Sequence, residues 1–299
     1  MIDVSIIYVN YNTVSLLTDS IDSVLVKTVG VTYEILVVDN NSVDNSQQIL
    51  LQKYADKIQY IALPANIGFG KANNEAIKIA SGRNILLLNP DTILMNNAVK
   101  VLSDYLDHNL DVGVCCGNLY TKELEPTFSH HKYLPSLITE LDILFHSPLK
   151  SIFKNLQHNY SDYPMEVGFV SGANFMTRKS ILNEVGLFDA DFFMYYEETE
   201  LLVRIRKKGY TFYNVPSAKI VHLEGQSFEL KEHITFLMLN SRNIFYRKAY
   251  GSLHICCCNI VNLATIISRL ILFRLLNKND KYCYWQKRLK LFVEAMKTN

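Results

Sequence analysis

The chain lacks most of the features that assign a sequence quickly. Its six cysteines fall as an adjacent pair, Cys115 and Cys116, a run from Cys256 to Cys258, and a solitary Cys283. That spacing supplies neither a disulfide framework nor paired zinc ligands, so reduced, mostly buried thiols are expected. No basic segment precedes the first apolar run, MIDVSIIYVNYN, which therefore reads as a first strand instead of a secretory signal, with the cytosol as the expected compartment. There is no lysine-bearing phosphate loop and no Gly-x-Ser-x-Gly elbow, which removes phosphate-loop and serine-hydrolase readings. Gly68-Phe69-Gly70 begins like a dinucleotide fingerprint, but the third glycine position is Asn73 and the motif follows the third strand, so a Rossmann dehydrogenase is excluded. A nucleotidyltransferase needs a basic, glycine-rich loop after its first strand, and YVNYNTVS is not one. No nucleic-acid motif is present.

What is present is enough apolar material for a full core: 299 residues, 49% hydrophobic, sized for one large domain or a domain plus an appendage. The formal charge of +1 is unevenly divided, with 12 Lys and Arg against 3 Asp and Glu in residues 231–299. That shift marks a boundary near residue 230. Before it, strands and helices alternate. Strands are expected at Asp3 to Val9, Tyr33 to Val38, Ile58 to Ala62 and Ile85 to Leu88. Helices are expected over Val14 to Val26, from an Asp44 cap to about Tyr54, and from NIGFGKANN to Ala80, where Gly82 follows as a stop. This order implies βαβ units and a mainly parallel sheet flanked by helices.

Each strand ends in polar residues: Asn10 and Asn12, Asp39 and Ser42, Asn66 and Gly68, Asn89 and Asp91. In a parallel sheet these ends share one edge, where open α/β sheets bind ligands. Pro90 cannot extend a ladder, so the chain turns there and presents Asn89 and Asp91. A helix over Asn96 to Asp107 and a strand around Val112 to Cys115 come next, and then residues 118–164 lose periodicity. His130-His131, adjacent and with no acid at ligand spacing, is read there as a solvated loop instead of a metal site. Ser171-Gly172-Ala173 is small enough for close backbone approach, and also fits a simple tight turn. Glu197, Glu198 and Glu200 open an amphipathic helix directly after the apolar DFFMYY, a costly place for carboxylates unless they meet a cation or accept protons. Strands at Thr211 to Val215 and Ala218 to Val221 then deliver His222, followed by a flexible Glu224 to Ser227.

Taken in order, VSIIYVNYN, ILVVDNNSVDNS, NIGFGKANN, LLLNPDT, VSGANFM, DADFFMYYEETELLVRIRKKGY and VHLEG resemble the family 2 inverting glycosyltransferases, in particular their rhamnosyltransferase-like branch. The resemblance implies a GT-A fold over residues 1–228, with a nucleotide-sugar half at 1–95 and an acceptor half at 96–228. It places Asp39 at the nucleotide base or ribose with Asn10, Asn41 and Asn66 nearby. Asn12, Ser42, Gly68, Lys71, Gly172 and Ala173 complete the expected donor pocket. Asn89-Pro90-Asp91 corresponds to the metal-binding Asp-x-Asp, with His222 completing the shell of a Mg²⁺ or Mn²⁺ ion. Glu197-Glu198 corresponds to the acidic pair whose second member is the base, and Glu200 is its rival or helper. Two departures stand out: Asn89 replaces an acid, and Glu198 replaces the usual Asp with one more methylene. The implied reaction moves a hexose, L-rhamnose from dTDP-rhamnose in the first reading, onto a glycan or lipid-diphosphate-linked glycan for surface polysaccharide. UDP-hexose or UDP-N-acetylhexosamine donors, and a non-catalytic nucleotide-sugar-binding or scaffold protein of the same fold, are the alternatives.

Residues 229–299 read as helices over Glu232 to Tyr250, Leu253 to Leu276 and Lys281 to Met296. Asn259, Asn262, Arg269 and Arg274 interrupt the apolar middle helix, so no clean membrane span survives. The expectation is an interfacial helix or packed hairpin on an anionic membrane surface. A soluble appendage with an oligomer interface is the competing reading.

Overall fold

The computed structural model describes residues 2–149, 156–223 and 231–298. The stretch from Glu224 to Ser227, expected to be flexible, lies outside them. Four parallel strands form one half of the sheet: β1 (Val4–Asn10), β2 (Tyr33–Asp39), β3 (Gln59–Ala62) and β4 (Asn84–Leu88). They are connected by α1 (Val14–Lys27), α2 (Ser46–Tyr54) and α3 (Phe69–Ile79). The second half adds β5 (Thr92–Leu94), α4 (Ala98–His108), β6 (Val112–Tyr120), β7 (His130–His131), α5 (Leu137–Leu144), β8 (Met165–Glu166), β9 (Phe169–Val170), β10 (Asn174–Arg178), α6 (Lys179–Val185), α7 (Glu197–Lys207) and β11 (Thr211–His222).

Among the described residues the main sheet has nine strands, in the order β3-β2-β1-β4-β10-β6-β11-β5, with β8 on β11. β10 enters antiparallel between β4 and β6, and it joins the two halves into one surface. The parallel strands are buried on both faces, which is why they read as continuous apolar runs. Val4, Ile6 and Tyr8 of β1 point to α1, α2 and α4, whereas Ile7 and Val9 point to α3, α6 and α7. The register sets Asn10 opposite Asp39 and Asp39 opposite Ala62, so the strand ends do share one rim.

Several local expectations are corrected. Asp44 does not cap α2, whose N-cap is Asn45; its carboxylate instead accepts the Val14 N–H at the start of α1. The two short strands before His222 are one strand with a register shift between Val215 and Lys219. β6 runs on to Tyr120, which shortens the irregular stretch. His130 is fully buried in a two-stranded sheet with β9, and not in a solvated loop. All six cysteines are free, but only Cys115, Cys116 and Cys258 are buried.

The tail folds as α8 (Lys231–Tyr250), α9 (Ser252–Leu275) and α10 (Asn279–Lys297). It is not a loose appendage. Phe245, Tyr246, Ile255 and Cys258 share a core with Phe192, which precedes α7, and Val203 within it. Beneath them, Glu140 of α5 is buried and accepts Arg242 Nε at 2.6 Å, Tyr246 Oη at 2.9 Å and Asn262 Nδ2 at 3.3 Å. Arg242 also donates to Asn243 and Asn259 side chains and to the Cys258 carbonyl. Removing one partner of such a pair strands a buried charge. Arg242→Met is expected to destabilise the protein by about 3–5 kcal/mol in urea unfolding, and Glu140→Gln added to it should recover part of the loss.

Candidate active site

The donor side is built at the ends of β1 and β2. Asn10 is buried, and its Nδ2 donates to Asp39 Oδ2 at 2.9 Å, Ser46 Oγ at 2.7 Å and Ser42 Oγ at 3.0 Å. Its Oδ1 accepts the Thr13 hydroxyl. The Ser42 N–H donates to Asp39 Oδ1 at 2.7 Å, so both carboxylate oxygens are fixed. Asn12 adopts φ 55° and accepts the Val43 N–H, which pins the next loop. Tyr60 was missed from sequence; burial and the adjacent Asp39 push its phenol up, so it stays a donor. Asp39, Asn41, Ser42, Tyr60 and Leu63 line an open cavity of about 480 Å³.

Asn40, also missed, carries the link to the next strand end. It is buried, donates to Asn66 Oδ1 at 2.8 Å and accepts the Ile67 N–H, whereas Asn41 is exposed in a left-handed turn. The alternation of a strand running one residue past the expected end is the signal that would have found it. Gly68 has φ +90°, and a Cβ there would overlap the Phe193 carbonyl. Only glycine fits, and the Phe69 N–H then donates to Phe193 O at 2.9 Å. Lys71 is half-buried in the first turn of α3.

At the end of β4, the Asn89 N–H donates to Ala173 O, and Asn89 O accepts both the N–H and hydroxyl of Thr92. This turn delivers Asp91, buried, with Oδ1 3.3 Å from His222 Nε2. β5 pairs with the end of β11, setting Thr92 opposite His222, and that pairing explains the contact. Two ligands side by side suit a hard divalent cation whose remaining positions come from diphosphate oxygens and water. Among the described residues no cluster of three His, Cys, Asp or Glu could hold a metal alone.

Tyr195 and Tyr196 have φ 69° and 65°, an αL pair of bulky residues that swings the chain into α7. Three contacts hold it: Ser241 Oγ donates to Met194 O at 2.7 Å, Phe245 packs on the Tyr196 ring at 5.5 Å, and Lys248 pairs with Asp189 and Asp191 at 2.5 Å. Glu197 is buried, with Oε2 unpartnered, and its Cβ packs against Gly70 of α3. Glu198 is partly exposed and borders Gly172, where an added Cβ would lie 3.9 Å from the Glu198 carboxyl carbon and 3.9 Å from Phe69. The small 171–173 turn therefore connects Asn89 on one side with Glu198 on the other. Burial pushes Glu198 up to about 7. Burial first, and the Glu198 charge second, raise Glu197 well above the usual carboxylate range. Glu200 is held in an ion pair: Arg204 Nε donates to both its oxygens at 2.9 Å, and the Arg204 guanidinium also donates to the Val185, Gly186 and Leu187 carbonyls.

The nine-stranded, mainly parallel sheet carries the Asp39 cavity, the Asp91–His222 corner and Glu197 with Glu198 at the ends of its strands, the layout of a glycosyltransferase of the GT-A fold. Residues 5–186 match the family described as Glycosyl transferase family 2, and the chain belongs to that family. It is 27% identical over 210 residues to N-acetylglucosaminyl-diphospho-decaprenol L-rhamnosyltransferase of Mycobacterium tuberculosis, covering 64% of this chain and 67% of the relative. It is 25% identical over 201 residues to dTDP-rhamnosyl transferase RfbF of Shigella flexneri, covering 64% of this chain and 60% of that one. In structure it is similar to GalNAc-T7 crystallised with UDP, GalNAc and Mn²⁺, with a TM-score of 0.64 and 16% identity over 83% of this chain and 48% of that one. It is also similar to Staphylococcus aureus TarS 1–349, with a TM-score of 0.54 and 17% identity over 98% of this chain and 81% of that one. At those identities the structures speak for the fold alone.

The raised Glu197 carboxyl has a consequence for stability. The folded protein holds that proton more tightly than the unfolded chain does, so its contribution is complete below the unfolded value of 4.5 and is lost as pH rises towards the folded one. Glu197→Gln is fixed in the neutral state. It should melt above the wild type by about 2 °C or more at about pH 8 and match it near pH 4.5, as read by calorimetry.

Proposed function

We propose that the chain is an inverting hexosyltransferase that moves L-rhamnose from dTDP-rhamnose to a hydroxyl of a lipid-diphosphate-linked saccharide, on the cytoplasmic face of the cell membrane. The observation that carries the reaction type is the glutamate pair at the start of α7, with Glu198 facing the small 171–173 turn and raised to about 7. A base poised near neutrality combines a populated carboxylate with a strong pull on the proton. The donor sugar and acceptor rest on the names of the two relatives, one a dTDP-rhamnosyl transferase and the other an L-rhamnosyltransferase acting on a diphospho-decaprenol.

In this reading Asp39 and Tyr60 bind the nucleoside, and Asn10 with Ser42 keeps the Asp39 carboxylate aimed at it. Asp91 and His222 would hold a Mg²⁺ or Mn²⁺ ion, which when bound neutralises the diphosphate leaving group. Glu198 accepts the acceptor hydroxyl's proton as the new glycosidic bond forms and the sugar–phosphate bond breaks on the opposite face. Attack from the far side inverts the anomeric centre. Glu197, kept protonated by burial beside Glu198, adds no second charge to repel the diphosphate. Residues 1–95 serve the donor, 96–228 the acceptor and base, and 229–299 form the helical region that backs them.

Glu198→Gln should lower kcat by roughly 10²–10⁴-fold with donor affinity unchanged in calorimetry. In the wild type, kcat/KM should rise with pH through an acid limb near 7. Lost donor binding with near-normal turnover would remove Glu198 from the base position. Asp91→Ala should weaken Mn²⁺-dependent donor binding at least tenfold, roughly 1.4 kcal/mol or more; equal wild-type affinity with and without Mn²⁺ would sink the metal role. Among nucleotide sugars, dTDP-rhamnose should stabilise the protein most, and a larger shift with a UDP-hexose or UDP-N-acetylhexosamine would move the donor assignment.

A further inference from the structure

By length and composition α9 is apolar enough to cross a membrane. Its two faces, however, differ sharply. Of the residues that interrupt it in sequence, Asn262 and Arg269 are buried with Thr265 beside them, Asn259 is half-buried and Arg274 is exposed. Asn262 donates to Glu140, and the Arg269 guanidinium donates to the Ile143 and Leu144 carbonyls at 3.0 and 3.2 Å. The outward face is apolar until the exposed Arg274 near its end. Ile260, Leu263, Ile267, Ile271 and Leu275 recur every three or four residues, with Leu253 two turns before them, so they form one stripe along the helix; Leu253 to Leu275 are exposed by 81%, 63%, 37%, 45%, 56% and 76%.

At the far end of the stripe the surroundings change to cations on aromatic rings. Arg274 lies 5.9 Å from the Tyr282 ring, Lys281 lies 5.4 Å from Phe273, and Arg288 lies 5.6 Å from Trp285. An open groove of about 640 Å³ follows between α9 and α10, with Leu270, Leu289 and Val293 as its apolar lining and two cations, Lys290 and Lys297, against one acid, Glu294.

We propose that the outer face of α9, with the groove it forms against α10, lies flat on a bilayer carrying anionic phospholipid, and that α9 does not span it. Crossing would require stripping Asn262 and Arg269 from Glu140 and the α5 carbonyls, and an unpaired charge in hydrocarbon is costly. Lying in the interface keeps those bonds and buries the stripe. Charge selects the partner. The last 69 residues hold 12 Lys and Arg against 3 Asp and Glu, which attracts anionic headgroups and opposes a second copy packing on the same face. The choice of a lipid partner rests on the lipid-linked acceptor proposed above, but the binding itself is measurable without donor, acceptor or turnover.

The full-length protein should float with phosphatidylcholine vesicles containing phosphatidylglycerol, remain at the bottom with phosphatidylcholine alone, and be released by high salt and by alkaline carbonate. Ile260→Glu with Ile267→Glu should lower vesicle partitioning at least about tenfold while the melting curve stays in place. Val26→Glu, on exposed α1 surface, should float as the wild type does. If the double change shifts the melt, Leu253→Glu at the open end of the helix carries the same expectation. Equal flotation with neutral vesicles, retention after carbonate, or undiminished partitioning of the stripe variants would overturn the proposal. So would a dimer in light scattering that those variants abolish. A failure of flotation leaves the transferase reading standing, and a failure of turnover leaves this one standing.

Discussion

Two glutamates at one buried helix start cannot both be charged at low cost, and the rest of the site depends on how the fold manages that constraint. The positive φ values at Tyr195 and Tyr196 are unfavourable for bulky residues, and such a turn persists only where its surroundings enforce it. Here the enforcement comes from both sides. Gly68 admits the Phe193 carbonyl on the donor side, and Ser241, Phe245 and Lys248 of α8 close the other. The loop at Gly68 and the Glu197–Glu198 helix start are thereby parts of one packed unit, so a shift in either is felt by the other.

The parallel half was legible in the sequence because strands buried on both faces spell themselves as apolar runs with polar ends. Asn10, Asp39, Asn66 and Asp91 could be placed on one rim from that pattern alone. Tyr60 and Asn40 could not, since their roles come from a neighbouring strand's register and not from their own surroundings in sequence. Glu197, Glu198 and Glu200 looked alike as a cluster. Helical spacing separates them only once Arg204, one turn beyond Glu200, is seen to claim that carboxylate. His130 went astray for a similar reason: β7 is two residues long and takes its burial from β9, far along the chain.

The corner of Asn89, Asp91 and His222 shows how one rim accommodates an Asn in place of an acid. Asn89 contributes its backbone to the Ala173 and Thr92 bonds that shape the turn, a task any side chain permits. Asp91 and His222 meet because β5, a three-residue strand absent from the sequence reading, pairs with β11. The polar residues of α9 follow the same logic in reverse. Counted along the sequence they break an apolar helix, but in three dimensions Asn262 and Arg269 fall on its inner face, and Arg274, near the end, is exposed.

The family match ends at residue 186, before Glu197 and Glu198, and the side chains that restrain their turn come from residues 241–248. The Glu197–Glu198 turn and the helix that restrains it thus both lie outside the segment by which the family is recognised. A recombinant exchange between relatives made near the compositional boundary at residue 230 would pair one parent's base with another parent's support. A junction before Asp189 would carry both together, and would have to match the contact to Gly68, the pairing of β11 with β6 and the Glu140–Arg242 pair.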